Sequence, residues 1–404
     1  MMDFLSQHWM VLLIPFVSAF VGWFTNVLAI KMMFYPIDFI GIRPFLGWQG
    51  IIPANAIRMA GFASKLIAER LLSLPALLSG FDPKSFVREL TEVIDRITDE
   101  VITEVADKRA PAMWAALAPA AQGQVRAMVR AEVEEAAARM LGDLQERIDE
   151  VLDLQKVTVD AVRRDRRLIS EMFLRVGSKE FTFIARSGIW FGFAFGILQM
   201  AVWVVWPAWW MLPLAGFFVG YLTNWLALKL IFEPRYPRRV GRLIIQGLFH
   251  KRQREVSHEF ATMVAADVLS PDNIVTTMTS GPARERLLAI VGARVRELID
   301  KYRKHPMAMM LGPDVATDLQ ADVLKRVEDE LPRKGGVLHV FASKAVDIKN
   351  ALITQMVELD PESFEGVLRP AFQQDEWKLI LAGAVLGMGA GVMQVVFMFK
   401  DVLA

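Results

Sequence analysis

The chain has no cysteine among its 404 residues. That excludes disulfides, thiolate metal ligands and a cysteine nucleophile. Strong charge of either sign is missing too: 46 basic against 45 acidic residues leave a net charge of +1. Overall charge therefore points to no nucleic-acid partner. Histidine is scarce, and His250 and His258 do not form an HExxH pair. No glycine-rich phosphate loop, GxSxG elbow or kinase motif set occurs. Glu89, Glu92, Asp95, Asp99, Glu100, Glu104 and Asp107 have the spacing of a solvated helix face rather than a metal site. No catalytic residue, metal site or cofactor is expected, and the chain reads as non-enzymatic. A cleavable leader is not expected either, since MMDFLSQHWM has no basic n-region.

Apolar residues are abundant. They make up 54% of the chain, yet 23% is charged. The two populations are segregated. Four apolar segments, 9–34, 187–206, 212–232 and 379–399, approach or exceed the ~20 residues that a helical span needs. Between them, 35–186 and 233–377 are charged regions with helical periodicity. Val87, Leu90, Val93, Ile94, Ile97, Val101, Ile102 and Val105 recur at spacings of three and four, after the helix-start signal Asp82-Pro83. Residues 122–178 contain no proline and read as one long helix with a weak point at Gly142. Residues 35–53 form a Pro- and Gly-punctuated loop, with Pro36, Pro44 and Pro53, apolar enough to lie at the membrane interface or pack on the bundle.

One stretch occurs twice. Residues 22–36 read GWFTNVLAIKMMFYP and residues 220–234 read GYLTNWLALKLIFEP, at an offset of 223 − 25 = 198. Gly192, Gly196 and Gln199 recur as Gly387, Gly391 and Gln394, at 387 − 192 = 195. The expected fold is all-α: a polytopic membrane protein with four transmembrane helices in two parallel pseudo-repeats and two large helical domains. Arg163, Arg164, Arg166, Arg167, Arg235, Arg238 and Arg239 crowd the domain side of the spans. The other side has Asp3, a Trp-rich turn at 206–210 and Lys400. The positive-inside rule makes both domains cytoplasmic.

Polar residues inside an apolar span are costly and are usually buried against protein or water. Thr25, Asn26, Lys31, Thr223, Asn224, Lys229, Gln199 and Gln394 are therefore the candidate membrane polar site. The asparagines, placed near each other by pseudo-symmetry, would line a polar path or hold a lipid head group. The alternative is interhelical hydrogen bonding. Gly192, Gly196, Gly383, Gly387 and Gly391 have the i, i+4 spacing of helix-packing faces. Arg163, Arg164, Arg166, Arg167, Arg235, Arg238 and Arg239 are candidates for anionic lipid head groups, or serve topology alone.

The TNxLAxK segment, the loop ending in GIIP at 50–53, Arg58 and the amphipathic stretch to Leu72 resemble the domain-of-unknown-function 445 family of bacterial membrane proteins. That resemblance implies a bacterial inner-membrane protein and supplies no activity. The second loop departs from it, reading GLFH at 247–250, followed by Lys251-Arg252 where the first has Asn55-Ala56. Two function classes follow. One is transport or lipid handling through the repeat interface, with anionic membrane lipids as partners. The other is an envelope scaffold, as a homo-oligomer or with a protein partner bound by the long helices.

Overall fold

A backbone that crosses lipid must satisfy its own N–H and C=O groups, and a helix is the local way to do so. All four apolar segments are helical in the computed structural model. It describes residues 9–42, 46–109, 111–303, 313–344, 347–369 and 376–399. Asp3, Pro44, Gly312 and Lys400 lie outside these residues.

In chain order, the elements used below are α1 (Ile14–Phe34), β1 (Ile40–Ile42), β2 (Leu46–Trp48), α2 (Ile51–Leu66), α3 (Thr91–Arg109) and α4 (Pro119–Glu146). They continue with α5 (Arg167–Val176), α6 (Ser178–Val205), α7 (Met211–Phe232), β3 (Arg238–Val240) and β4 (Leu243–Ile245). The last are α8 (Gln253–Met263), α9 (Gly281–Arg303), α10 (Pro361–Leu368) and α11 (Glu376–Met398). Helices α1, α6, α7 and α11, the first extended back to Met10, are long and apolar enough to cross a membrane.

The chain divides into two compact units. The first comprises Met1–Leu66, Val162–Met263 and Leu352–Ala404, and the second Ile67–Ala161 and Val264–Ala351. The division does not fall at the ends of the apolar segments. Helices α2, α5 and α8 join the four spans because α2 packs on both α1 and α5, and α5 packs on α6 and α8.

Within the first unit α1 runs along α6, α7 runs along α11, and the two pairs meet. Val11, Ile14, Trp203, Leu212, Val395 and Phe399 form a buried cluster at the end of the bundle remote from the two hairpins. Each hairpin follows a span: β1 pairs with β2, and β3 with β4, both antiparallel.

The second unit is a set of helices joined by apolar contacts and ion pairs. Phe81, Phe86 and Phe341 stack edge to face. Arg294 binds Asp143 with two hydrogen bonds, 2.6 and 2.7 Å, from α9 to α4. The acidic residues of α3 are less solvated than their spacing implies. Asp95 meets Arg130 at 2.6 Å and Asp99 meets Arg126 at 3.3 Å. No group of His and acidic residues suited to a metal occurs among the described residues.

Residues 122–178 are not one helix. Gly142 stays inside α4, and the chain breaks instead before Ile148–Val151, Leu154–Arg164 and α5. Aspartates start the last two segments: Asp153 Oδ1 accepts from the Gln155 and Lys156 amides at 2.9 and 3.1 Å, and Asp165 Oδ1 from the Arg167 amide at 2.9 Å. An aspartate satisfies free amides at a helix start, which a lone mid-helix glycine does not.

Candidate functional site

The repeated motif sets how closely each helix pair packs. A Cβ at Gly22 would fall inside the van der Waals envelope of the Gly188 carbonyl oxygen, and one at Gly220 inside that of Gly383. Gly192 likewise abuts the Ser18 carbonyl, and Gly196 abuts Pro15. On the other pair Gly387 abuts the Gly216 carbonyl and Gly391 that of Leu212. Only glycine permits such an approach.

This approach brings the asparagines within reach of the opposite backbone. Asn26 Nδ2 donates to the Ile184 carbonyl at 2.6 Å, and Asn224 Nδ2 to the Leu379 carbonyl at 3.0 Å. Both asparagines are buried, and both Oδ1 atoms lack a partner. They are not hydrogen-bonded to one another; each faces its own pair's second helix. Thr25 and Thr223 donate to carbonyls within their own helices, of Gly22 and Gly220. Ser18 donates to Gln199 Oε1 at 2.9 Å. Gln394 is buried too, and Gly216 stands where the first pair has Ser18; the Nε2 atoms of Gln199 and Gln394 are both unpartnered. The lysines leave the apolar zone. Lys31 is exposed at the last turn of α1, and Lys229 lies over the Trp225 ring and 3.7 Å from Glu233.

Arg163, Arg164, Arg166 and Arg167 are exposed where Leu154–Arg164 meets α5. Arg238 and Arg239 are exposed on β3. Arg235 differs. Its guanidinium Nε donates to Glu365 Oε2 at 2.8 Å, so this arginine is committed to an internal ion pair.

Where the spans reach the hairpins, the two pairs leave a cavity of about 60 Å³. All four long helices line it: Met33 and Phe34 from α1, Phe181 and Ile184 from α6, Leu228, Ile231 and Phe232 from α7, and Leu379 from α11. Ile52, Phe173 and Phe249 also line it. Two carboxyls, Glu180 and Glu376, stand at this otherwise apolar surface.

Both carboxyls are held by arginines. Arg252 Nη1 lies 2.6 Å from each oxygen of buried Glu180. Arg252 also binds Glu255 at 2.9 Å, and Glu255 meets Lys179. These hydrogen bonds hold the Glu255 carboxyl down at about 2. Glu376 is 3.4 Å from Arg369, whose guanidinium lies 4.8 Å from the centre of the Phe232 ring. Arg369 also contacts Glu365. Burial pushes the Glu365 carboxyl up, but Arg235 and Arg369 outweigh it and leave it below the usual range. His250 is fully enclosed, with Nε2 3.1 Å from the Phe232 carbonyl and 3.4 Å from Glu365. Burial pushes the imidazole below its ordinary value despite Glu365.

Sequence pattern alone does not single out Glu180, His250, Glu365, Arg369 and Glu376 as site residues, and it reads Arg252 only as part of the basic run 235–254 that would face anionic lipid. A signal existed: Glu180 and Glu376 border apolar segments, where an ionisable group demands a partner. The partner of Glu180 lies far along the chain, 72 residues away at Arg252, whereas Arg369 is only seven residues before Glu376.

Over 122 residues the chain is 25% identical to a UPF0754 membrane protein of Bacillus cereus (strain AH820), covering 30% of this chain and 32% of the relative. It is 31% identical over 123 residues to one of Synechococcus elongatus, covering 29% and 30%. A third, from Synechococcus sp. (strain JA-2-3B'a(2-13)), is 28% identical over 129 residues, covering 30% and 32%. The chain thus spans about a third of the length of the curated relatives it matches. No family model matches the chain. No solved structure matches it. These relatives support an uncharacterised bacterial membrane family, and not the domain-of-unknown-function 445 family in particular. With four apolar helices, the chain is a membrane protein.

Proposed function

We propose that this protein is a non-enzymatic lipid-handling protein of the bacterial inner membrane, holding the end of a lipid acyl chain between its two helix pairs. The observation that carries this is the cavity, which is apolar and lined by all four long helices. At about 60 Å³ it exceeds the ~10–15 Å³ that one water requires. It is too small for a whole lipid, so the rest of the chain and the head group stay in the bilayer. Each methylene moved out of water is worth about 0.8 kcal/mol, but one moved from lipid gains only packing. The site therefore suits exchange rather than irreversible capture.

On this reading the two helix pairs are parallel repeats about an axis along the membrane normal. The recurrence of the asparagine-to-carbonyl bond and the glycine contacts supports that arrangement. The basic residues near the hairpin ends put the charged helices in the cytoplasm and favour anionic lipids.

Native mass spectrometry of the full chain in mild detergent tests this. The protein should retain lipid, and Leu228→Trp, which fills the cavity, should lose it while melting like the parent. A lipid-free parent overturns the reading. If that parent carries a second polypeptide or copy, the scaffold reading takes its place.

A further inference from the structure

We infer that the hairpins β1–β2 and β3–β4 are interfacial paddles, lying in the head-group layer of the membrane that the spans cross, and that β3–β4 selects anionic lipid there. This goes beyond the cavity and does not depend on it.

Position is the first ground. Each hairpin begins six residues after a span ends, at Ile40 after Phe34 and at Arg238 after Phe232. Each is also clamped to that end. The Gly50 amide donates to the Pro36 carbonyl and the Gly247 amide to the Pro234 carbonyl, both at 2.9 Å. A Cβ at Gly50 would strike the Phe34 backbone, and one at Gly247 the backbone of Ile231 and Phe232. The base of each hairpin is therefore fixed at the level where its span leaves the apolar layer.

Exposure is the second ground. Ile40 is 67% exposed and Ile42 74%. Both point to one strand face, and Trp48 stands directly opposite Ile40. In the second hairpin Tyr236, Ile244 and Ile245 are exposed. Gly241 supplies the positive φ, 62°, that its two-residue loop requires. A two-stranded hairpin is marginal in water by itself. Apolar faces flanked by Tyr and Trp fit the interfacial layer, which is continuous with the apolar belt of the spans.

Charge separates the two. Residues 37–49 carry Asp38 and Arg43, a net charge of zero. Residues 236–246 carry Arg238, Arg239 and Arg242 with no acid, a net charge of +3. Each basic residue at an anionic surface strengthens attraction about fivefold, so only the second hairpin responds strongly to lipid charge.

The absence of cysteine makes the test direct. The full chain carrying Ile42→Cys or Ile244→Cys, both at exposed positions, is spin-labelled and placed in nanodiscs of phosphatidylcholine. Collision with oxygen and with a water-soluble nickel chelate reports depth. Both labels should favour oxygen. Adding phosphatidylglycerol should shift the label at 244 deeper and leave 42 unmoved. The triple variant R238Q/R239Q/R242Q should lose that shift. Ile40→Cys on the first hairpin and Tyr236→Cys on the second, both at exposed positions, are the second reporters should either variant fold poorly. Water-like collision rates at both hairpins would overturn the inference. An equal lipid response at both, or one that survives the triple variant, would overturn the anionic assignment.

Discussion

The amide of Asn26 reaches across to the carbonyl of Ile184 on the neighbouring helix at 2.6 Å. It does so beside Gly188, where a side chain would collide with Asn26 Nδ2. Asn224 repeats the arrangement with Leu379 beside Gly383. The Ile184 carbonyl, which also accepts from Ser187 Oγ at 2.9 Å, and the Leu379 carbonyl therefore each gain a donor from another helix, and each asparagine ties its pair together.

Asn26→Ala and Asn224→Ala should each destabilise the bundle by about 0.6–2 kcal/mol, the range for interhelical hydrogen bonds in membranes. Reversible unfolding in mixed micelles measures this. Unchanged stability in both variants would contradict a tying role and return the asparagines to the polar-path reading.

Gly387→Ala should cost about 1–3 kcal/mol, because the new methyl meets the Gly216 carbonyl and must push the helices apart. Gly389, two residues on, has open space around it. Gly389→Ala should be neutral or stabilise by up to about 1 kcal/mol through helix propensity. Thermal melts of the two variants side by side decide between local contact and general intolerance of α11.

Arg252→Ala leaves Glu180 buried without its cation and should cost about 3–5 kcal/mol. The double variant Arg252→Met with Glu180→Leu should recover most of that, since a buried pair is often replaceable by apolar residues. Chemical denaturation of the single and double variants gives the comparison. No recovery in the double variant would mean that the pair specifies geometry.

Acid should destabilise the first unit in two stages. His250 is held below its ordinary value by burial, so the unfolded chain binds a proton first as pH falls. Stability is thus retained above about pH 6.5 and declines below it. Glu365, also lowered on balance, has its contribution in place above its unfolded value near 4.5, and loses it as pH falls through the lower folded value. His250→Gln should flatten the decline that begins below about pH 6.5 and leave the more acidic one. Melting temperature against pH, for parent and variant, checks both stages.

Much of the architecture could be read from local pattern. The lengths of the apolar segments imply helices, and the i, i+4 glycines mark their contact faces. Both follow from composition and period along one element. The aspartate starts at Asp153 and Asp165 are equally local signals, and they break 122–178 although it contains no proline. The pairing of exposed Arg235 with buried Glu365 leaves no local mark, because the two are 130 residues apart.

The sequence by itself determined four apolar helices, a twice-used TNxLAxK segment, glycines where helices touch, and basic residues near one set of span ends. Tertiary structure alone decided which carbonyl each asparagine reaches, which arginine holds Glu180, and where the cavity opens. The physical reason is range. Helix formation and contact faces depend on residues a few positions apart, whereas a buried charge or an unfilled space is defined by whatever distant segments pack around it.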